Sequence, residues 1–290
     1  MTQTELGAIF AVMLQIYDKP IFFTALAMAV LGTTAPANAT SVPGEVVCTP
    51  ETGYADSVTG FHAEAANCLA LDLSDVEIQI ADRTAMLTQR NRSAFNLAPL
   101  NARASLGYAA RLHAMELAAR EQASHTDSLD RSHLDRLRIL DRRAVFGASG
   151  ANIAVVPAGT SPEDAFNALI ADPVNAENLT RDVFTHSAVG VAESTNGDVY
   201  VVQLFAQVDG ELDAPAPIIL NTPLSVSASL DNSGFHQSGW RLEAGDSTLR
   251  RASGEMVRAP IFGSGTGFIE IEAELGTATY RLKGPAIDYR

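Results

Sequence analysis

His125 directly follows a predicted helix and is the residue in this sequence best placed to act as a base. Three serines lie near it along the chain: Ser124, Ser128 and Ser149. Asp172 could orient the imidazole. Serine catalysis requires a hydroxyl within hydrogen-bonding distance of the base, together with a site for the oxyanion. The sequence lacks the nucleophile elbow G-x-S-x-G, since residues 147–150 read GASG, and a serine hydrolase is therefore the less favoured interpretation.

Three other histidines have plainer interpretations. His113 lies on the apolar face of the predicted helix, where we expect a hydrogen-bonded core histidine. His133 belongs to an arginine-rich segment and is expected to face solvent. His186 could approach the region around His125, but an exposed loop histidine is the preferred interpretation.

The helix that positions His125 is predicted to begin at Ala104, because apolar side chains recur every three or four residues in the stretch 104–125. Asn101 is its expected cap, and the helix should end near Ser124. Another helix is predicted over residues 75–93. The side chains expected to face inward from it are Val76, Ile80, Ala81 and Met86 or Leu87.

Arginines are concentrated around a short predicted helix over residues 130–141. The members of this arginine cluster are Arg131, Arg136, Arg138, Arg142 and Arg143. A solvated helix face that pairs with nearby aspartates is the preferred interpretation. An anion-binding patch is the alternative.

Strands and helices alternate in the next part of the chain. Residues 146–157 are predicted to turn and then to run into a buried apolar strand. A helix should begin after Ser161, which is followed by proline and two acids. Strands at residues 189–192 and 199–205 should form a hairpin, since Asn-Gly lies between them.

The last part of the chain differs from the preceding part in composition and in the period of its apolar residues. Residues 209–216, DGELDAPA, are predicted to be a linker. In residues 269–275 apolar side chains alternate with glutamates, which indicates a strand with one buried and one acidic face. We therefore predict a small antiparallel β domain over residues 217–290.

Composition and cysteines indicate an exported protein. The 290 residues are 47% hydrophobic and carry a net charge of −14, which disfavours nucleic acid as a partner. Residues 1–39 are predicted to be a signal peptide ending in Ala-Asn-Ala, so no stable membrane insertion is expected after cleavage. Cys48 and Cys68 are expected to form a disulfide in an irregular N-terminal arm, residues 40–74. The expected location is periplasmic or extracellular.

Several motifs in order resemble the CAP superfamily (cysteine-rich secretory proteins, antigen 5 and pathogenesis-related proteins), and the bacterial secreted SCP-like branch most closely. Leu106 to Ala118 resembles the second helix of the family, Ser124-His125 the "SH" that ends it, and Gly150 to Ala154 the motif "GENIA". Residues 172–179 resemble "SPGHRANIL", and residues 184–191 resemble "FTEIGVGV". The resemblance implies a CAP-type α-β-α sandwich over residues 75–208, crossed by a cleft, and does not reach the predicted C-terminal β domain. Together the two parts predict an α+β fold.

In many CAP proteins this cleft holds two histidines and two acids that can bind a divalent cation. The resemblance places the four positions at His125, Asp172, Ala151 and Asn175, with Asn152 and His186 as potential neighbours. A methyl group cannot bind a metal and an amide is a weak ligand, so we expect neither a metal nor another cofactor. Restoring the pattern with Ala151→Glu and Asn175→His should then create zinc affinity.

These observations predict an exported, non-enzymatic CAP-domain protein. Its cleft would bind a lipid-like small molecule or an envelope or extracellular protein partner. The alternative is a metal-assisted or serine hydrolase that acts on peptide or cell-wall material.

Overall fold

The computed structural model of the chain describes residues 48–220, 224–231, 234–245, 247–252 and 263–290. The predicted signal peptide lies outside the described residues. The helices are α1 (Val58–Leu69), α2 (Asp75–Ala94), α3 (Ala104–Arg120), α4 (His133–Leu140), α5 (Pro162–Ile170) and α6 (Pro173–Thr180). The strands are β1 (Ala144–Val156), β2 (His186–Glu193), β3 (Val199–Leu212), β4 (Ile219–Leu220), β5 (Ala228–Leu230), β6 (His236–Ala244), β7 (Ser247–Ala252), β8 (Gly265–Leu275) and β9 (Ala278–Tyr289).

The described strands form one sheet, in the order β2-β3-β1-β9-β8-β6-β7, with β4 added to β9 and β5 to β3. Helix α3 packs on one face of β2 and β3, while α2, α5 and α6 pack on the other face. Gly190 permits the close approach of β2 to α3, because a Cβ there would lie 2.2 Å from the backbone of Ala110. This layering confirms the predicted α+β class and α-β-α sandwich.

Two predicted helices differ in detail. Helix α3 ends at Arg120, before Ser124, because Glu121 adopts a left-handed conformation. Arg103 occupies its N-cap position, while Asn101 pairs with β2 instead of capping the helix. In α2, Val76 was predicted to face inward but is 41% exposed. Of the two alternatives Met86 and Leu87, Leu87 packs against an apolar cluster, while Met86 is 46% exposed. The buried positions of that helix are Ile80, Thr84, Thr88 and Arg92, whose spacing follows one helix face.

The N-terminal arm is more regular than predicted, since it contains the helix α1. The predicted disulfide between Cys48 and Cys68 is present and joins the end of α1 to the segment before it. Closing a loop with a sequence separation of 20 residues stabilises the fold by about 3 kcal/mol in the chain-entropy model.

The predicted linker is wrong in its first half, because Asp209 to Leu212 complete β3. Strand β9 pairs with β1 at Phe146 and Lys283, so the C-terminal strands continue the sheet of the preceding segment. The predicted alternation in β8 is confirmed for Ile269 and Ile271, which are fully buried. Two of its three glutamates are buried as well and pair with basic residues: Glu270 with Lys283 and Glu272 with Arg241. Glu274 is exposed, as predicted.

The arginine cluster pairs in part with a nearby aspartate, as predicted, since Arg131 Nε lies 2.7 Å from Asp127 Oδ2. It does not form the expected solvated face. Arg138 is buried and donates from Nε to Gly284 O at 2.7 Å and from Nη2 to Ile269 O at 2.8 Å. Arg142 donates to the carbonyls of Ala216 and Pro217, and Arg143 to that of Leu212. These arginines therefore bind the C-terminal segment through its backbone. A side chain that meets carbonyl groups more than 60 residues away leaves no local pattern in the sequence.

Candidate functional site

His125 is exposed in the loop between α3 and α4. Two buried residues of α3 hold this loop on either side of it. His113 Nε2 lies 2.9 Å from Ser124 O, which confirms the predicted hydrogen-bonded core histidine. Glu116 Oε1 accepts from Ser128 N at 2.7 Å. The position of His125 thus depends on polar groups beneath the loop.

Ala151 and Asn152, adjacent on β1, have side chains on opposite faces of the sheet. Ala151 belongs to the apolar cluster that α3 forms with the sheet. Asn152 lies on the α2 face and donates to Asn175 O at 3.0 Å. Gln203, opposite Asn152 in the β1–β3 register, donates to Thr88 Oγ1 of α2 at 2.7 Å.

Asp172 and Asn175 lie at the start of α6, and both side chains form hydrogen bonds with backbone groups near it. Asp172 is the N-cap, since its carboxylate accepts from the backbone N–H groups of Val174 and Asn175. The buried Asn175 amide donates to Leu169 O at 2.9 Å and to Ile153 O at 3.3 Å. The structure therefore brings Asn152 and Asn175 together, but it places Asn175 on the side of the sheet opposite the Ala151 side chain.

His186 is the first residue of β2 and is partly buried, so the predicted exposed loop position is wrong. Its Nδ1 lies 2.8 Å from Thr185 Oγ1. Burial lowers its pKa, as does the nearby Arg103. The charged groups around it are Arg103, Asp141, Glu211 and Asp231.

His133 was expected to face solvent, but it is partly buried and its Nε2 lies 3.0 Å from Ser149 Oγ. This serine–imidazole pair is the contact that nucleophilic catalysis requires. Burial, and to a smaller extent Arg136 and His125, lowers the pKa of His133 to about 4. The imidazole is therefore neutral at pH 7 but a weak base, because burial disfavours its charged form and the neighbouring cation Arg136 adds to this effect.

Sequence reasoning did not identify the His133–Ser149 pair, the supports of the loop by His113 and Glu116, or the amide network on the α2 face. The sequence does show that His113 and Glu116 are three residues apart, and that the buried polar residues of α2 are four residues apart, so that each set shares one helix face. Their partners lie on other elements and could not be inferred from that spacing.

A model of the CAP family, described as the cysteine-rich secretory protein family, matches residues 87–205. The resemblance inferred from the motifs is confirmed for this segment. A search of the curated proteins found no match. In the described part of the chain, no helix is sufficiently long and apolar to cross a membrane.

Three solved structures are similar to part of the chain. An outer surface protein of Borrelia burgdorferi shares 18% identity with a TM-score of 0.41, over 47% of this chain and 96% of that one. An extracellular protein containing an SCP domain from Bacillus anthracis shares 21% identity with a TM-score of 0.38, over 48% and 45%. The venom allergen-like protein 4 of Schistosoma mansoni shares 17% identity with a TM-score of 0.34, over 50% and 96%.

The residues that the resemblance places at the CAP metal positions do not fit a divalent cation. His125 is an exposed imidazole, Ala151 offers no ligand, and Asp172 and Asn175 already serve the start of α6. Among the described residues, no group of three or more His, Cys, Asp or Glu side chains could hold a metal ion. Protein zinc sites use three or four such ligands.

We expect neither the parent chain nor its Ala151→Glu/Asn175→His variant to bind zinc with submicromolar affinity. The sequence-based expectation for this variant is revised, because the two new side chains would lie on opposite sides of the sheet. Calorimetric titration of both proteins measures this. Submicromolar binding by the parent that disappears in His125→Ala would contradict it, as would affinity created in the double variant.

Acid should destabilise the fold through His113. Burial, and to a smaller extent Arg136, lowers the pKa of this histidine to about 3, below its unfolded value of about 6.5. Its stabilising contribution is therefore complete above pH 6.5 and is lost as the pH falls toward 3. At pH 5 the loss is about 2 kcal/mol. Urea unfolding at pH 7 and pH 5 should show a smaller difference in His113→Gln than in the parent, whereas equal differences would exclude His113 as the cause.

Proposed function

We propose that this chain is an exported CAP-domain protein that acts by binding and not by catalysis. Its ligand would be a lipid-like small molecule or an envelope or extracellular protein partner, bound through the altered CAP cleft. One observation carries this proposal. Asp172 caps α6 and the Asn175 amide donates to Leu169 O, so both side chains are already engaged in local hydrogen bonds, and Asn175 lies on the side of the sheet opposite the Ala151 side chain. Such residues are not free to assemble a reacting centre.

Export is supported by the disulfide, because such bonds persist mainly in oxidising compartments. The apolar segment before Thr40, with its small-residue cleavage site, also supports export. Two of the similar solved structures are described as an outer surface protein and as an extracellular protein. A periplasmic or extracellular location follows for this chain as part of the proposal.

A serine hydrolase is the second candidate, and the contact between His133 and Ser149 favours it. The low pKa of His133 opposes it, as does the proximity of Arg136 to the imidazole. A general base works best when its pKa is near the working pH. We therefore place binding ahead of hydrolysis.

Two measurements test the two candidate functions. Native mass spectrometry of protein purified from its own compartment tests binding, and labelling with a fluorophosphonate probe tests serine hydrolysis. A retained small molecule or copurified protein, lost on Asn152→Leu or His125→Ala substitution, would support binding. The matched control is Arg181→Ala, which alters an exposed residue of a surface ion pair. Probe labelling of Ser149 that disappears in both Ser149→Ala and His133→Ala would overturn the proposal in favour of hydrolysis.

A further inference from the structure

Four buried polar atoms lie between α3 and α4 without a hydrogen-bond partner among the described residues. They are Arg136 Nε, Arg136 Nη2, Glu116 Oε2 and His113 Nδ1. All three side chains are essentially inaccessible, with exposures of 1%, 0% and 0%. Buried polar atoms in folded proteins almost always have a partner, either protein or water.

The three side chains are close to one another. His113 and Glu116 are three residues apart on α3 and therefore share a helix face. The charge of Arg136 lowers the pKa of His113, and the charge of Glu116 raises the pKa of Arg136 against the larger lowering effect of burial. The ion pairs found in the described residues join Glu116 to Arg120 and Arg136 to Asp127, not Glu116 to Arg136. The Glu116 carboxylate and the Arg136 guanidinium are therefore not in direct contact.

The hydrogen-bonding capacity of the four atoms is known. Nε and Nη2 are the two parallel donors of the guanidinium fork, since Arg136 Nη1 already donates to Arg131 O at 2.6 Å. Glu116 Oε2 is an acceptor. His113 Nε2 must carry the proton, because its partner Ser124 O can only accept, and Nδ1 is therefore an acceptor too. Two donor atoms and two acceptor atoms remain, and the fork directs one N–H from each nitrogen toward a shared ligand.

We propose that a buried water molecule binds at this point, accepting from both atoms of the Arg136 fork and donating to Glu116 and His113. Water has the matching two acceptor and two donor sites, and buried waters usually make about three hydrogen bonds. An anion would face the Glu116 carboxylate and the lone pair of His113. A cation would face Arg136. Water is the small ligand that suits all three groups.

This water would link Arg136 to both supports of the His125 loop, because His113 binds Ser124 O and Glu116 binds Ser128 N. Arg136 would then be a positioning residue for that loop. The inference concerns the loop alone and holds whatever the cleft binds, so it does not rest on the proposed function.

Magnetic relaxation dispersion of water nuclei on the full chain counts long-lived internal waters. We expect Arg136→Met to contain one fewer than the parent. The matched control is Arg103→Met, since the Nε and Nη2 atoms of Arg103 already bind Asp141. An unchanged count in Arg136→Met, or an equal loss in the control, would overturn the proposal.

If Arg136→Met does not fold, a crystal structure of the parent that resolves ordered waters decides the question. The expected result is a water within about 3 Å of Arg136 Nε, Arg136 Nη2 and Glu116 Oε2. A direct contact of the Arg136 fork with the Glu116 carboxylate would overturn the proposal, as would the finding of no water at these atoms.

Discussion

Replacing Arg138 by methionine should lower the free energy of unfolding by about 3 to 5 kcal/mol. Burial lowers the pKa of Arg138 to about 10, so the guanidinium is still charged at pH 7. It lies over the ring of Phe268, 4.4 Å from the centroid, and donates to the carbonyls of Gly284 and Ile269. Methionine fills a similar volume but leaves both buried carbonyls without this donor, and each such loss costs about 1 to 3 kcal/mol.

Urea denaturation at pH 7 measures this change. Arg181→Met is the matched control, because Arg181 is 49% exposed and pairs with an exposed glutamate. Such surface pairs contribute at most about 1 kcal/mol. A loss in Arg138→Met that is no larger than in the control would show that the carbonyl contacts of Arg138 do not stabilise the fold.

The sequence predicted the layers of this fold well where the signal was local. Apolar spacing located α3, the Ser-Pro-acid start located α5, and the Asn-Gly turn joined β2 to β3. The C-terminal alternation identified β8. Each of these patterns depends on residues within one element or one turn.

The arginine cluster shows why the rest was not predictable. In sequence, Arg138 and its neighbours resembled a solvated helix face in an acidic chain. Their acceptors are backbone carbonyls of distant segments, and every residue type has the same carbonyl group. Neither composition nor spacing can therefore indicate which segment a buried arginine will bind.

The site was predictable in part. The motifs assign the altered positions to Ala151 and Asn175, and strand alternation could have indicated that Ala151 and Asn152 face opposite ways. The location of Asn175 on the Asn152 side depends on how α6 docks against β1. The pairing of His133 with Ser149 depends likewise on how α4 docks.

A chain truncated after residue 208 should lose cooperative folding, because the C-terminal strands complete contacts of the preceding segment. Asp288 accepts from the N–H groups of Val58 and Thr59 at the start of α1, both at 2.8 Å. Val145 of β1 belongs to an apolar cluster built otherwise from residues after 208. The buried guanidinium of Arg138 would lose both carbonyl partners, and an unpaired buried charge costs several kcal/mol.

Urea unfolding of residues 40–208 and 40–290, followed by near-ultraviolet circular dichroism, tests this expectation. The longer chain should give one cooperative transition, and the shorter chain should show no native tertiary signal in the absence of urea. Limited proteolysis of the longer chain provides an independent measurement. Since Asp209 to Leu212 belong to β3, cleavage should not release a stable fragment beginning near residue 217. A cooperative transition in the shorter chain, within about 1 kcal/mol of the longer one, would mean that the two segments are independent domains.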